Sequence, residues 1–562
     1  MTAATVGSRE KQTPESRVDL WLRVVMIWHV VLALGGLGGA AFVWLGGVTW
    51  AGWVKGAVTA VFLLLTILSA VAARDINRRQ HRGRTISLAV NYLGFLAALF
   101  GSMHLIGVFT GIDSLADSFM RGIPFLLLVF AGFFIGTLTD RYQNPATQRA
   151  LRQTSKAVMI VSGVAFLLAV GIHNGILTLL GKLTEPLILG MVGGTAVFAL
   201  MLWAMWRQPS AEAMHATNAD NEMLSGYLFL SPNLLGFLFF FAGPLLLSLY
   251  VSFTNWDAFG TKDWVGLANY GRIVNLDVAR LDTITQLASE AIDVTVYDEL
   301  TRFEIFGKSY IVGAQDKLFW LSLRNTLTFV LLSVPLSVIP ALFLSNLLNS
   351  KIAGMKFFRA VYFLPSVAAV VGIALVWQWL FNATIGYINY FITVAVNFLN
   401  STGGGFFDPQ IRWLSDSNTA LLAVVIVAAW QWMGFNTVLF LAGLQNIPRS
   451  LYEAATVDGA NSWQQFWKVT LPLLAPTTFF VITTTTIQAM QIFEQVFILI
   501  PTNPAGPNNS TLTLVLYLYQ KGFQRFEQGY ASAIAWVLFI IIFGATLFQF
   551  QRQRTSGSSY DA

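Results

Sequence analysis

Long apolar runs separated by short polar joints set the rhythm of this chain. Crossing about 30 Å of hydrocarbon takes roughly 20 apolar residues. Twelve stretches meet that length, at 21–46, 52–73, 86–108, 122–139, 157–181, 185–206, 227–253, 318–348, 360–382, 419–444, 476–501 and 530–550. Backbone groups exposed to lipid must be paired within the segment, so runs of this kind predict helices rather than open sheet. The expected fold class is therefore all-α and integral to the membrane, with about twelve transmembrane helices. The run at 386–399 is too short to span and reads as an interfacial helix. Alternation in FEIFGKSYIV (303–312) predicts a strand or hairpin inside the long polar loop 254–317.

Composition agrees with the pattern. Of 562 residues, 55% are hydrophobic and 11% charged, and the mean hydropathy is +0.62, far from a soluble domain with about 25% charged residues. The net charge of +6 reflects basic loops such as ARDINRRQHRGR (73–84), not a nucleic-acid partner. Placing those loops inside makes both termini cytoplasmic, in the inner membrane of a prokaryote. The apolar run after the polar N-terminus is too long for a signal-peptide core and reads as a retained span. Cysteine is absent, which excludes disulfides, thiolate metal sites and cysteine nucleophiles.

Six spans fall in an N-terminal extension, 1–210, and six in a core, 227–552, joined by a polar linker at 211–226 and followed by a flexible tail at 553–562. The halves show no internal repeat, which counts against many two-repeat secondary transporters.

The connection Tyr452–Leu474 is long, polar and largely uncharged. Ser450 with Glu453, and Ser462 with Gln465, have capping-box spacing. Asp458-Gly459 supplies a stop, and Pro472 ends the second helix. Trp463, Phe466, Trp467 and Thr470 fall on one face. These signals predict a short helix-turn-helix at the membrane surface, either a floor for the bundle or a docking element. Its wording, EAATVDGANSWQQFWKVTLPLLAP (453–476), closely resembles the EAA loop of ABC importer inner-membrane subunits. Other stretches, including RNTLTFVLLSVPLSVIPALFLSNLLN, FFRAVYFLPSVAAVVGIALVWQWLFNATIGYIN and GPNNSTLTLVLYLYQKGF, resemble the sugar-permease branch and its maltose-permease-like larger subunit over about 225–552.

The resemblance implies a non-catalytic permease subunit of a binding-protein-dependent importer. It would pair with a second permease subunit, two ABC ATPase subunits and an external solute-binding protein that delivers a sugar. Glu453, Ala454, Ala455, Asp458, Gly459 and Ala460 would then couple ATP hydrolysis to transport. No cofactor is implied, and no G-x-x-x-x-G-K-[ST] occurs. The substrate path is expected among the polar and aromatic residues of the late spans: Trp430, Trp432, Gly434, Asn436, Thr485, Gln488, Gln491 and Glu494. Amides and a carboxylate suit hydroxyls and an indole suits a sugar ring, although each residue equally suits interhelical hydrogen bonding. On a continuous helix, Glu494 would stand roughly 27 Å above Pro476. The extra segment 275–317 is read as a small folded insertion placed to meet the binding protein.

Two rival readings have their own residues. An ion-coupled secondary transporter needs intramembrane carboxylates, and Glu494 is essentially the one on offer. A membrane redox protein would hold haem among His29, His104 and His173, which sit in three different spans.

Overall fold

The structure, a computed structural model, describes residues 14–50, 52–141, 144–173, 177, 181–260, 262–349, 354–500 and 502–555. Ten helices among these are long and apolar enough to cross a membrane, and two bent pairs raise the number to twelve. The chain divides into two compact units, Met1–Leu234 and Leu235–Ala562.

In the first unit, α1 (Pro14–Leu45) packs on α2 (Gly52–Asn77), α3 (His81–Ile106) on the helix Pro186–Trp206, and α4 (Val108–Thr137) on α5 (Pro145–Ala169). Pro186–Trp206 is α6. The expected span 157–181 is displaced toward the N-terminus. Asn144 accepts from the Ala146 N–H at 3.0 Å and starts α5 beside Pro145, and Gly171, at φ 85°, follows its end. A polar first turn extends the helix beyond the apolar run, while Gly interrupts that run. Residues 174–176 and 178–180 of the expected span lie outside the described residues.

The stretch expected as a linker is built into this unit. It forms a short helix, Gln208–Ala213, and the start of α7 (Asn218–Phe237). Buried Arg84 holds it, donating to the Met205 carbonyl at 2.9 Å and to Asn221 Oδ1 at 2.7 Å. A cation at the carbonyl end of α6 also complements the helix dipole. His29 is buried and shares hydrogen bonds with Ser87 Oγ (2.8 Å) and Asn91 Nδ2 (3.4 Å), whereas His104 and His173 are exposed.

In the second unit, a π-turn at Leu238–Ala242 leads into α8 (Gly243–Ser252). The long loop then folds as a three-stranded antiparallel sheet, β1 (Leu276–Leu281), β2 (Asp298–Ile305) and β3 (Lys308–Ala314), in the order β1-β3-β2. The expected hairpin is therefore present, with Phe306 and Gly307 at positive φ (51° and 71°) in its turn. Leu281, Ile292 and Ile311 form its small core. Arg302 clasps Glu299 at 2.8 Å, and that hydrogen bond holds the Glu299 carboxyl below the usual range.

The sheet leads into α9 (Lys317–Leu348), which packs along α13 (Ala420–Gln445). The buried face of α9 includes Ser322, Thr326, Ser333, Ser337, Ala341 and Ser345, and α13 offers Ala420, Ala423 and Ala428. Small residues let membrane helices approach closely, where dispersion rather than water release drives association.

Two expected spans are broken. The run 360–382 forms α10 (Met355–Val367) and α11 (Val370–Leu380), with Pro365 in the last turn of α10. Their bend, taken from Phe357, is 99°. Pro365 removes one N–H from the helical ladder just before the bend. The run 476–501 forms α16 (Ala475–Met490) and α17 (Glu494–Leu499), separated at 491–493. Between these lie α12 (Tyr387–Ser401), the helix expected at 386–399, then α14 (Arg449–Val457) and α15 (Ser462–Gln465). After α17 come α18 (Leu514–Tyr519) and α19 (Gln528–Thr555), and 556–562 of the expected tail lie outside the described residues.

Asp316 ties three of these elements together. It caps α9 by accepting from the Phe319 N–H at 3.0 Å. It also accepts from the Tyr517 hydroxyl of α18 (2.6 Å) and the Tyr530 hydroxyl of α19 (2.5 Å). Asp316→Ala leaves both buried hydroxyls without an acceptor, at about 1–3 kcal/mol each. A clear fall in the unfolding temperature of the purified protein is expected, and an unchanged midpoint contradicts this packing.

Candidate functional site

The polar connection after α13 is a raised surface element. Helix α14 has no buried residue. Pro448, with φ −59°, is its N-cap, so Ser450 lies within the first turn and the expected Ser450–Glu453 box does not form. Glu453 pairs instead with Arg449 at 3.4 Å, both highly exposed. The helix closes in a Schellman arrangement. The Ala460 N–H donates to the Ala455 carbonyl (2.9 Å) and the Gly459 N–H to the Thr456 carbonyl (3.0 Å). Gly459 has φ +80°, a conformation that penalises any side chain.

The second capping box is displaced by one residue. Asn461 accepts from the Gln464 N–H, and Gln464 returns a bond to the Asn461 N–H, both at 2.9 Å. Gln465 is thereby free to clamp the turn from inside, donating to Thr456 Oγ1 at 2.9 Å and to the Ala460 carbonyl at 3.2 Å. Pro472 does not end the helix. A π-turn, Phe466–Thr470, intervenes, and Pro472 enters the short helix Leu471–Leu473 near its start, where a missing N–H costs little.

Of the face expected from the spacing, Phe466 and Thr470 are buried while Trp463 and Trp467 stay exposed beside them. Phe466 stacks on Phe343 of α9 with ring centroids 5.7 Å apart. The hydroxyls of Tyr452 and Thr470 are 3.0 Å apart. These contacts anchor one side of the element. The other side presents Leu451, Glu453, Ala454, Val457 (88% exposed) and Asp458, while Ala455 and Ala460 are half-buried.

The eight expected path residues do not share one site. Trp432, Gln488, Gln491 and Glu494 line a cleft of about 310 Å³ together with Gln495. The span is not continuous: α16 ends at Met490 and α17 begins at Glu494, so Glu494 reaches the cleft from beyond a break at 491–493. Trp430 packs on Trp377, with centroids 5.5 Å apart, outside the cleft lining. Gly434 is a packing point, because a Cβ there would lie 2.3 Å from the Tyr362 carbonyl oxygen. Asn436 and Thr485 are buried and paired at 3.3 Å, and Asn436 Nδ2 has no partner among the described residues.

Gln431, one of the few polar residues that stand out in the late apolar spans, and four residues without such a signal, Gln495, Gln378, Asn325 and Thr326, hold the chain around the cleft. Gln495 donates to buried Gln431 at 3.1 Å. Gln378 of α11 donates to the carbonyls of Ile498 (2.6 Å) and Leu499 (3.1 Å) at the end of α17. Asn325 of α9 caps the carbonyls of Asn509 (2.9 Å) and Leu512 (3.1 Å), and Thr326 accepts from the Leu514 N–H at 3.0 Å.

Fold and site together describe a multi-pass membrane transport subunit. The family model for binding-protein-dependent transport system inner membrane components matches residues 326–556. The chain is 34% identical over 345 residues to the probable ABC transporter permease protein YesP of Bacillus subtilis, covering 61% of this chain and 94% of that protein. It is 32% identical over 322 residues to the arabinooligosaccharides transport system permease protein AraP of Bacillus subtilis, covering 57% and 86%. Identity to the sn-glycerol-3-phosphate transport system permease protein UgpA of Agrobacterium fabrum is 30% over 339 residues, covering 60% and 97%. The chain belongs to the family of binding-protein-dependent ABC transporter permeases. The matched region contains both α14–α15 and the cleft.

Proposed function

We propose that this chain is one permease subunit of a heterodimeric importer that carries a neutral sugar across the inner membrane. ATP is hydrolysed in two separate ABC ATPase subunits, and a binding protein delivers the sugar from outside. The observation that carries this reading is the raised α14–α15 element, anchored on one side and open on the other. In this reading the open face of Glu453, Ala454, Val457 and Asp458 enters a cleft of the ATPase subunit. Both termini and this element face the cytoplasm, and the β1–β3 insertion meets the binding protein.

The cleft supports the substrate class. Its lining offers Gln488, Gln491, Gln495 and Glu494 for hydroxyls and Trp432 for a ring, with no Lys, Arg or His. A phosphate ester would meet the Glu494 carboxylate, which has no partner among the described residues, so a neutral sugar fits better than a substrate such as sn-glycerol-3-phosphate. Gln488→Ala is expected to raise the sugar concentration needed for half-maximal uptake by roughly five- to a hundredfold, from about 1–3 kcal/mol of lost hydrogen bonding. Normal uptake kinetics would move the substrate site elsewhere.

The coupling role has a separate test. The Arg449–Glu453 pair is an exposed i,i+4 contact worth about 0.3–0.5 kcal/mol, so Glu453→Gln leaves the fold essentially intact. A transport defect in Glu453→Gln therefore reports on the ATPase partner. Gly459→Val places a branched side chain at positive φ and is expected to uncouple hydrolysis from uptake while the spans remain inserted. Wild-type transport and ATPase activity in Gly459→Val would overturn the coupling role.

A further inference from the structure

The turn between α2 and α3 carries chemistry that transport does not use. A cavity of about 700 Å³ opens there, lined by Arg78, Arg79, His81, Arg82 and His215, with Asp220 as its acidic member. Of these cations, Arg79 and Arg82 each face a carboxylate, and Arg78 does not. Arg79 is paired with Asp19 at 2.7 Å. Arg82 stands 3.9 Å from Asp75, beyond a hydrogen bond, and the Arg78 side chain has no partner among the described residues. The Asp220 carboxylate is occupied locally, accepting from the Thr217 N–H (2.9 Å) and hydroxyl (2.7 Å).

Three further observations converge on this place. Arg79 and His215 both adopt left-handed backbone, with φ 54° and 55°, which is disfavoured for L residues and holds both at the cavity rim. At the same turn, α3 begins without a side-chain capping hydrogen bond and without an acidic residue in its first turn, which leaves its first N–H groups without a side-chain acceptor from the cap. Ile86 and Met223 add an apolar wall beside the cations.

The turn joins two helices long enough to cross the membrane, so it lies at headgroup depth. We propose that this cavity binds the phosphodiester headgroup of an anionic phospholipid, with Arg78 and Arg82 as the principal contacts and an acyl chain along Ile86 and Met223. Free phosphate shares the headgroup chemistry. Location and the apolar wall favour the lipid.

The test uses the full-length chain in neutral detergent, titrated with dioctanoyl phosphatidylglycerol, dioctanoyl phosphatidylcholine and inorganic phosphate. Saturable binding of the anionic lipid is expected, with the zwitterionic lipid and phosphate each roughly tenfold weaker or more. The double variant Arg78→Gln/Arg82→Gln is expected to lose roughly thirtyfold in affinity for phosphatidylglycerol. Both side chains are exposed. Because Arg82 faces buried Asp75 at 3.9 Å, the single variant Arg78→Gln, which leaves that contact intact, is expected to lose roughly fivefold in affinity at an unchanged unfolding temperature. Arg78→Lys/Arg82→Lys retains most of the binding, and Arg152→Gln, outside the cavity lining, changes nothing. Equal binding of the two lipids, or a double Gln variant that binds like the wild type, overturns the proposal. Phosphate binding as tightly as phosphatidylglycerol makes the site one for free phosphate and overturns the lipid assignment.

Discussion

Hydrocarbon offers no hydrogen bonds, so any break in a membrane helix must be repaired from within the protein. The second unit is arranged around that requirement. Its eleventh apolar run breaks at 491–493, and the chain from there to Leu514 would leave carbonyls and N–H groups unpaired. Gln378, Asn325, Thr326 and Thr513 meet them one by one, with Thr513 donating to the Ile492 carbonyl at 3.1 Å. Because these bonds come from α9, α11 and the segment before α18, the break also cross-links the helices around it. The cleft lies at this break, whereas on an unbroken helix Glu494 would stand about one and two-thirds turns beyond Gln488.

The same physics separates the two surfaces proposed for coupling and for substrate. Around the cleft, Gln495 is paired with Gln431, whereas the side chains of Gln488, Gln491 and Glu494 have no hydrogen-bond partner among the described residues. In α14 no residue is buried, and the turn is held by its own backbone and by Gln465. A rigid element with an open outer face suits transmission of movement, whereas a cleft beside a repaired break suits a ligand exchanged between two sides. Phe466 stacking on Phe343 links the surface element to α9, the helix that also carries Asn325 and Thr326.

Much of this was legible in the sequence. The apolar runs gave twelve spans because length and hydropathy follow directly from bilayer thickness, and alternation around Phe306-Gly307 gave the hairpin. The turn at Gly459 was legible because glycine tolerates positive φ. The breaks at 368–369 and 491–493 were not legible, since an apolar run looks the same whether it is straight or bent and only its neighbours repair the gap. The first capping box is absent because α14 takes Pro448 as its N-cap, ahead of Ser450, and the second is shifted by one residue because Asn461 takes the N-cap ahead of Ser462. Among the residues expected on the substrate path, Gly434 and Trp430 have the residue types such a path uses, and only three-dimensional packing sets them against Tyr362 and Trp377 rather than in the cleft.

The central claim is that the open face of α14 is covered by an ATP-hydrolysing partner. Val457, 88% exposed at the end of α14, is the place to ask. A photo-crosslinking amino acid at position 457, irradiated in native membranes and analysed by mass spectrometry, should form its principal adduct with an ATPase subunit. Adducts only with lipid, or only with other parts of this chain, would contradict the claim.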